Sequence, residues 1–524
     1  MELTMSLCIR MRALLTFALL VVFSSITYSQ SGQSSAPQAA PQPTPPVLRT
    51  TTRLVILDVV TTDDKGNPVS GLKAEDFTVT ENGEEQTIAD FSFHQAGTIS
   101  QTANQLPANT ISNAPQYSGN SSLNIILLDA INTDFSNHAY AQDMLIKYLD
   151  GNPKIQPTAV YALEHNLILL HDFTTDTKAL RDALAHYKGM IVHHMETVEA
   201  AASPFTQHGT FRNVPQGRSA AFQGMRFLSQ ALAGYRGRKN LIWISEGFPL
   251  SLYPDTSSGD EGPVVMIEDY SPIVEKIADD LMAAQVALYP VSAAGVSKND
   301  HFSAQTAMSS MAQRTGGKTF FNRNDIDTGV RTSMDDGSTY YTLAYYPKNK
   351  NWDNKFRHVK VKLNQPGVKL QYRDGYYADN PNMRYGTATM GNEFSQALDI
   401  KSPSLMAVAF QAAVVLPSAQ TQNRTVVNVG INPHTLAFQR GSDDLEHAHV
   451  SCVVWAYPPK GDPIRAEGTY DAALKADEYQ QMMKSYFPCR RALDLKPGHY
   501  TLRIGVLDGT TNLIGTTNAQ VTVP

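Results

Sequence analysis

Leu123-Asn-Ile-Ile-Leu-Leu-Asp129-Ala-Ile-Asn-Thr-Asp134 is the stretch that decides the fold. Its apolar run suits a strand covered on both faces. The run stops on a carboxylate and passes into a polar loop. In open α/β sheets, ligands bind beyond the carboxyl ends of the strands, and Asp129 stands at such an end. Two further runs repeat the pattern, Asn240-Leu-Ile-Trp-Ile-Ser-Glu246 and Val286-Ala-Leu-Tyr-Pro-Val291. Thr158 to Leu163 and Asn166 to Leu170 also read as strands. Between these lie helical patterns: Tyr140, Met144, Leu145 and Tyr148 on one face, Ser219 to Ala233, Ile273 to Leu281, and Ser303 to Arg314 closed by Gly316-Gly317. Alternation of this kind predicts a mostly parallel, doubly wound sheet with helices on both faces.

Outward from that centre the pattern turns to strands. Residues 51–97 read as a small N-terminal β domain. Asp76-Phe-Thr-Val-Thr-Glu81 alternates and meets Asn82-Gly83, a hairpin turn signal. Residues 98–120 read as a linker, 121–378 as the α/β domain, 379–402 as a connector, and 403–524 as a C-terminal β-sandwich-like domain. The expected fold class is multidomain α/β plus β. The Tyr340-Tyr341, Tyr345-Tyr346 and Tyr376-Tyr377 pairs are expected to divide between core and surface. Gly234-Tyr-Arg-Gly-Arg-Lys239 is basic and Gly-rich but precedes a strand, so it reads as a solvated turn rather than a phosphate loop.

Residues 1–29 have the form of a secretory signal peptide, with Arg10 and Arg12 before the apolar stretch Ala13 to Phe23. Residues 30–50 form a Ser/Gln/Pro-rich spacer expected to be disordered. No second apolar run is long enough to cross a bilayer, so the mature chain is expected to lack a transmembrane segment and to be secreted or periplasmic. The chain carries 43 Lys and Arg against 49 Asp and Glu, a net charge of −6. Loss of the leader makes it one charge more acidic, which argues against nucleic acid as a partner. Cys452 and Cys489 remain after cleavage. In an oxidising compartment they form a disulfide or stay as two buried thiols.

Taken together, Gly71-Leu-Lys-Ala-Glu-Asp-Phe77, Glu81-Asn-Gly83, Leu127-Leu-Asp-Ala130, Gly237-Arg-Lys-Asn-Leu-Ile-Trp-Ile-Ser-Glu-Gly-Phe-Pro249, Met311-Ala-Gln-Arg-Thr-Gly-Gly317, Tyr340-Tyr-Thr-Leu-Ala-Tyr-Tyr-Pro347 and Tyr372-Arg-Asp-Gly-Tyr-Tyr377 carry a resemblance. The chain resembles secreted bacterial proteins with a von Willebrand factor A-related domain, of the acidobacterial type. The resemblance implies a von Willebrand factor A-like domain between β modules. It also implies a Mg²⁺ or Ca²⁺ site at the top of the sheet, built on Asp-x-Ser-x-Ser, a later Thr and a later Asp. Asp129 matches the first position and Thr133 the third. Ile131 stands where a hydroxyl is expected, and Glu246 replaces the later Asp. Thr210 is the candidate for the intervening Thr, and Asn132 and Asp134 are possible substitutes. The ligand set is therefore degenerate. Metal ligation and simple hydrogen bonding of loop amides by Asp129 and Glu246 both stay open.

Other chemistry is weaker. His193-His194-Met-Glu196 lacks metalloprotease spacing, and Ser245-Glu246-Gly247 is not a nucleophile elbow. The expected function is an exported, non-enzymatic binding or adhesion protein that recognises a protein or an envelope or extracellular polymer. The alternatives are a structural component of a cell-envelope assembly, or an enzyme with an unrecognised site at the top of the α/β sheet.

Overall fold

A computed structural model of the protein describes residues 54–95, 100–101, 106–107, 109–115, 117–118, 122–164, 166–188, 214–247, 271–294, 302–323, 325–353, 355–378 and 390–524. All fall in one unit, Val47–Pro524. The expected signal peptide and spacer, His193-His194-Met-Glu196 and Thr210 lie outside the described residues.

The first strands are β1 (Val55–Thr62), β2 (Phe77–Glu81), β3 (Glu84–Gln86) and β4 (Ile88–Gln95). Asn82 and Gly83 both have positive φ, 49° and 88°, as a two-residue hairpin between β2 and β3 requires. The next segment was expected to be a linker. It contains β5 (Ser100–Gln101) paired with β7 (Tyr117–Ser118), and β6 (Thr110–Ser112), which joins a sheet near the C-terminus.

The central sheet follows. Its strands are β8 (Leu123–Asp129), β9 (Thr158–Leu163), β10 (Leu167–Thr174), β11 (Lys239–Ser245) and β12 (Val286–Ser292), in the order β10-β9-β8-β11-β12. All neighbours are parallel except β10, which runs antiparallel at the edge. The intervening helices are α1 (Phe135–Gly151), α2 (Thr177–His186), α3 (Val214–Leu232), α4 (Ser271–Ala283), α5 (Phe302–Thr315) and α6 (Ile326–Asp336). Successive residues of β8 enter two different cores. Leu123, Ile125 and Leu127 pack with α3, α4 and α5, while Ile126 and Leu128 pack with α1, α2 and α6. Burial on both faces is why the run is apolar throughout.

The chain then returns to its beginning. β13 (Thr339–Tyr345), β14 (Phe356–Leu363), β15 (Lys369–Gln371) and β16 (Gly375–Tyr377) were expected inside the α/β domain. They complete the N-terminal module instead, as sheets β15-β1-β13-β4 and β16-β14-β2-β3. The two sheets share one core that includes Leu57, Val79, Leu343, Tyr345 and Val361. The physical reason is pairing: a strand in the middle of a sheet satisfies backbone groups on both sides. β13 finds β1 on one side and β4 on the other.

The tyrosine expectation holds for Tyr345, buried beside a 52% exposed Tyr346, and fails at Tyr340-Tyr341. Tyr340 and Tyr341 are both fully buried, since one faces the module core and the other the central domain. The Tyr340 hydroxyl accepts a hydrogen bond from the Arg238 amide at 3.1 Å. Arg238 and Lys239, read as a solvated turn, are in fact buried. The Arg238 Nη2 donates to Tyr289 Oη and to the Gly316 carbonyl, and the Lys239 ammonium donates to the Tyr235 carbonyl. The bond from the Arg238 amide to Tyr340 ties the N-terminal module to the start of β11, and the other three hold that corner of the central domain together.

The remaining chain holds α7 (Met390–Ala397), β17 (Phe410–Val415), β18 (Thr425–Ile431), β19 (Gln439–Arg440), β20 (Glu446–Tyr457), β21 (Ile464–Leu474), α8 (Ala476–Met482), β22 (Phe487–Leu493), β23 (Gly498–Asp508) and β24 (Leu513–Val523). One sheet is β22-β18-β17-β6. The other is β19-β20-β23-β24, with β21 also on β20. Cys452 of β20 and Cys489 of β22 are joined as a disulfide between the two sheets. The outer face of β20 is buried as well: Val453 and Trp455 share a core with Phe394 and Leu398 beside α7 and with the central domain. The fully buried Arg503 guanidinium donates to the Ala397 and Pro403 carbonyls, a cation placed at the carboxyl end of α7.

Candidate functional site

The strand order reverses between β8 and β11, whose carboxyl ends lie side by side. Asp129 closes β8 and is completely buried. Its Oδ1 accepts hydrogen bonds from the amides of Ile131 and Asn132, each at 3.0 Å. Its Oδ2 accepts from Asn132 Nδ2 at 2.9 Å, Trp243 Nε1 at 3.1 Å and Ser245 Oγ at 3.0 Å. Burial pushes the Asp129 carboxyl above its ordinary range, and the bonds from Asn132, Ser245 and Trp243 pull it back.

Glu246 sits on the neighbouring loop. Its Oε1 accepts from the Asp134 amide at 2.9 Å and from Asn137 Nδ2 at 2.6 Å. Asp134 precedes the first turn of α1, so Glu246 supplies an anion to the start of that helix from across the sheet. Thr133 Oγ1 is buried with no hydrogen-bond partner among the described residues. Phe135, the first residue of α1, is 63% exposed beside this set.

A second group lies at the end of β9. The Tyr187 hydroxyl donates to Glu164 Oε1 at 2.9 Å, and the Tyr187 ring meets His138 edge-on at 5.8 Å. Burial lowers the His138 pKa while Glu164 pulls it up, and His138 Nε2 has no hydrogen-bond partner among the described residues.

Thus Asp129, Asn132, Asp134 and Glu246 do come together at the top of the sheet, with Thr133 in the same loop. Their roles differ from a ligand set. Asn132 is a donor to Asp129, and Asp134 contributes its amide. A hard cation needs several oxygen lone pairs aimed at one point. The Asp129 oxygens already face five N–H and O–H donors, Ile131 offers none, and Glu246 Oε1 holds two donors. This donor set does not fit Mg²⁺ or Ca²⁺. The residues not foreseen are Trp243, Ser245, Asn137, His138, Glu164 and Tyr187. Trp243 and Ser245 had a signal: two apart on one strand, they share a face, and that face includes the end of β8.

No family model matches the chain, and no curated protein matches it. Solved structures give distant likenesses. The von Willebrand factor type A protein from Catenulispora acidiphila is 8% identical over 86% of this chain and 74% of that one, with a TM-score of 0.24. The three N-terminal domains of the type V pili tip protein Mfa5 from Porphyromonas gingivalis are 8% identical over 75% of this chain and 99% of that one, with a TM-score of 0.26. Proximal thread matrix protein 1 from the mussel byssus is 11% identical over 41% of this chain, with a TM-score of 0.26, and the chain spans 48% of its length. At these scores the fold is read from the chain's own strand order.

Proposed function

We propose that this chain is an exported, non-enzymatic binding protein. In this reading the central domain is a doubly wound, von Willebrand factor A-like sheet whose top contacts a protein or an envelope polymer. Two β-sandwich-like modules flank it. The observation that carries the reading is the exposed Phe135 at the point where strand order reverses. A single aromatic side chain held out among polar groups can serve as the anchor of a partner contact. Export is supported by the Cys452–Cys489 disulfide, which persists in oxidising compartments. Among the described residues, no helix is long and apolar enough to cross a membrane.

The test uses the full chain and its Phe135→Ala variant against fractionated envelope proteins and polymers. Saturable binding weakened about tenfold in the variant, with unchanged melting, is the expected result; an anchor side chain contributes about that much or more. Turnover of a substrate with no saturable partner would sink the reading. A second reading, a structural part of an envelope assembly, is favoured by one observation. The C-terminal module shares a buried core with the central domain, which suits a stiff spacer. It predicts stable co-purification with envelope partners that Phe135→Ala leaves intact.

A further inference from the structure

We propose that the Asp129 carboxylate is a closed anchor, in which the donors of Ile131, Asn132, Trp243 and Ser245 take the place of a cation, so that the β8–α1 loop is fixed by the chain itself and the top of the sheet forms without divalent metal. A carboxylate offers about four lone-pair sites. Here they meet five donor groups, three of them side chains on two different segments, the single Ser245 proton being shared with the Gly247 carbonyl at 3.0 Å. Hydrogen bonds to an anion are roughly twice as strong as neutral ones. The anion is therefore compensated by fixed dipoles.

Entry of a cation would have to remove some of these donors. Trp243 is fully buried, and its indole N–H would lose this acceptor in a place water does not reach. Ser245 is equally buried. One oxygen of the second carboxylate is committed as well, because Glu246 Oε1 holds the Asp134 amide and Asn137 at the start of α1. Ile131 has no oxygen to offer on its side chain. The arrangement ties β8, β11 and the start of α1 into one cross-braced corner. Metal-linked opening of that corner is absent from its design. Partner contact at Phe135 is then indifferent to chelators, a clause that rests on the proposed binding role; the closed carboxylate itself does not.

The experiment is calorimetry and thermal melting of the full chain, stripped with EDTA, against Mg²⁺, Ca²⁺ and Mn²⁺ separately. The expected result is no saturable heat and no shift in melting temperature with any of the three. Trp243→Phe and Ser245→Ala, which each remove one donor, should each lower melting by at least about 2 °C. The Trp243 indole N–H should exchange slowly with solvent in the wild type. Saturable cation binding in the wild type that is lost in Asp129→Asn overturns the proposal. So does unchanged melting in both donor variants, or rapid exchange of that indole proton. If Asp129→Asn does not fold, the two donor variants still decide. Cation binding would leave the adhesion reading standing, and absence of any partner would leave the closed anchor standing.

Discussion

Replacing Arg357 with Met should cost the N-terminal module far more than removing the whole charged pair. Glu81 and Arg357 face each other at 3.1 Å with both side chains 2% exposed. The Tyr345 and Tyr376 hydroxyls donate to Glu81 Oε2 at 2.9 and 2.8 Å. Arg357 also donates to the Asn349 and Asn351 carbonyls and lies 5.3 Å from the Trp352 ring centre. Arg357→Met leaves a buried anion with two hydroxyl donors and no cation, and two carbonyls without their donor. Breaking such a pair costs about 3–5 kcal/mol. Arg357→Met/Glu81→Leu strands no charge and should be less destabilised than Arg357→Met alone, since apolar replacement of a buried pair is often near neutral. Hydrogen exchange of peptides from β2 and β14 reads the local opening energy. At ~1.4 kcal/mol per factor of ten, exchange in the single variant should rise by about a hundred-fold to a few thousand-fold. A single variant that exchanges like wild type, or a double variant worse than Arg357→Met, would refute the reasoning.

Other outcomes follow from the same structure. Cys452→Ala/Cys489→Ala removes a link across 37 residues, and chain entropy sets the loss at about 4 kcal/mol; denaturant midpoints of the wild type with and without reductant should differ in the same direction. Burial holds His138 below the ordinary His value of about 6.5. The unfolded chain then takes up a proton that the folded chain refuses. Stability should fall as pH drops from that value through the lower folded one, and His138→Gln should flatten that part of the melting profile. Gly317→Ala would place a Cβ 1.8 Å from the Leu288 carbonyl oxygen, a backbone atom of β12. It should cost about 3 kcal/mol or more and lower soluble yield, while Ser309→Ala on α5 leaves both unchanged.

Much of the centre was legible because burial on two faces writes itself as a continuous apolar run. β8, β11 and β12 are each buried at every residue, and each was marked by such a run. Asn82-Gly83 marked its hairpin because only positive φ closes a two-residue turn. The destination of β13 was not legible. Its composition says strand, but its partners lie in the first module and no local pattern encodes them. β6 hid in a polar stretch since it is short and, among the described residues, pairs along β17 alone. Arg238 and Lys239 look like surface residues until their acceptors, the Tyr289 hydroxyl and the Gly316 and Tyr235 carbonyls, are brought around them. At the candidate site the place of Asp129 was readable from the end of its strand. Its chemistry was not, because the deciding donors Trp243 and Ser245 come from another strand.

The position of β13 between β1 and β4 sets an order of assembly. The first module cannot close when its own first strands leave the ribosome. It waits until Thr339–Tyr345 has been made, after every strand of the central sheet. If the chain crosses a membrane before folding, as proposed above, that wait lasts until this strand has crossed too. During it, β1 and β4 have bare edges of the kind that join to other chains. A truncated chain ending before β13 should therefore aggregate through its amino-terminal strands, and a factor that holds the nascent chain open would act on those two edges.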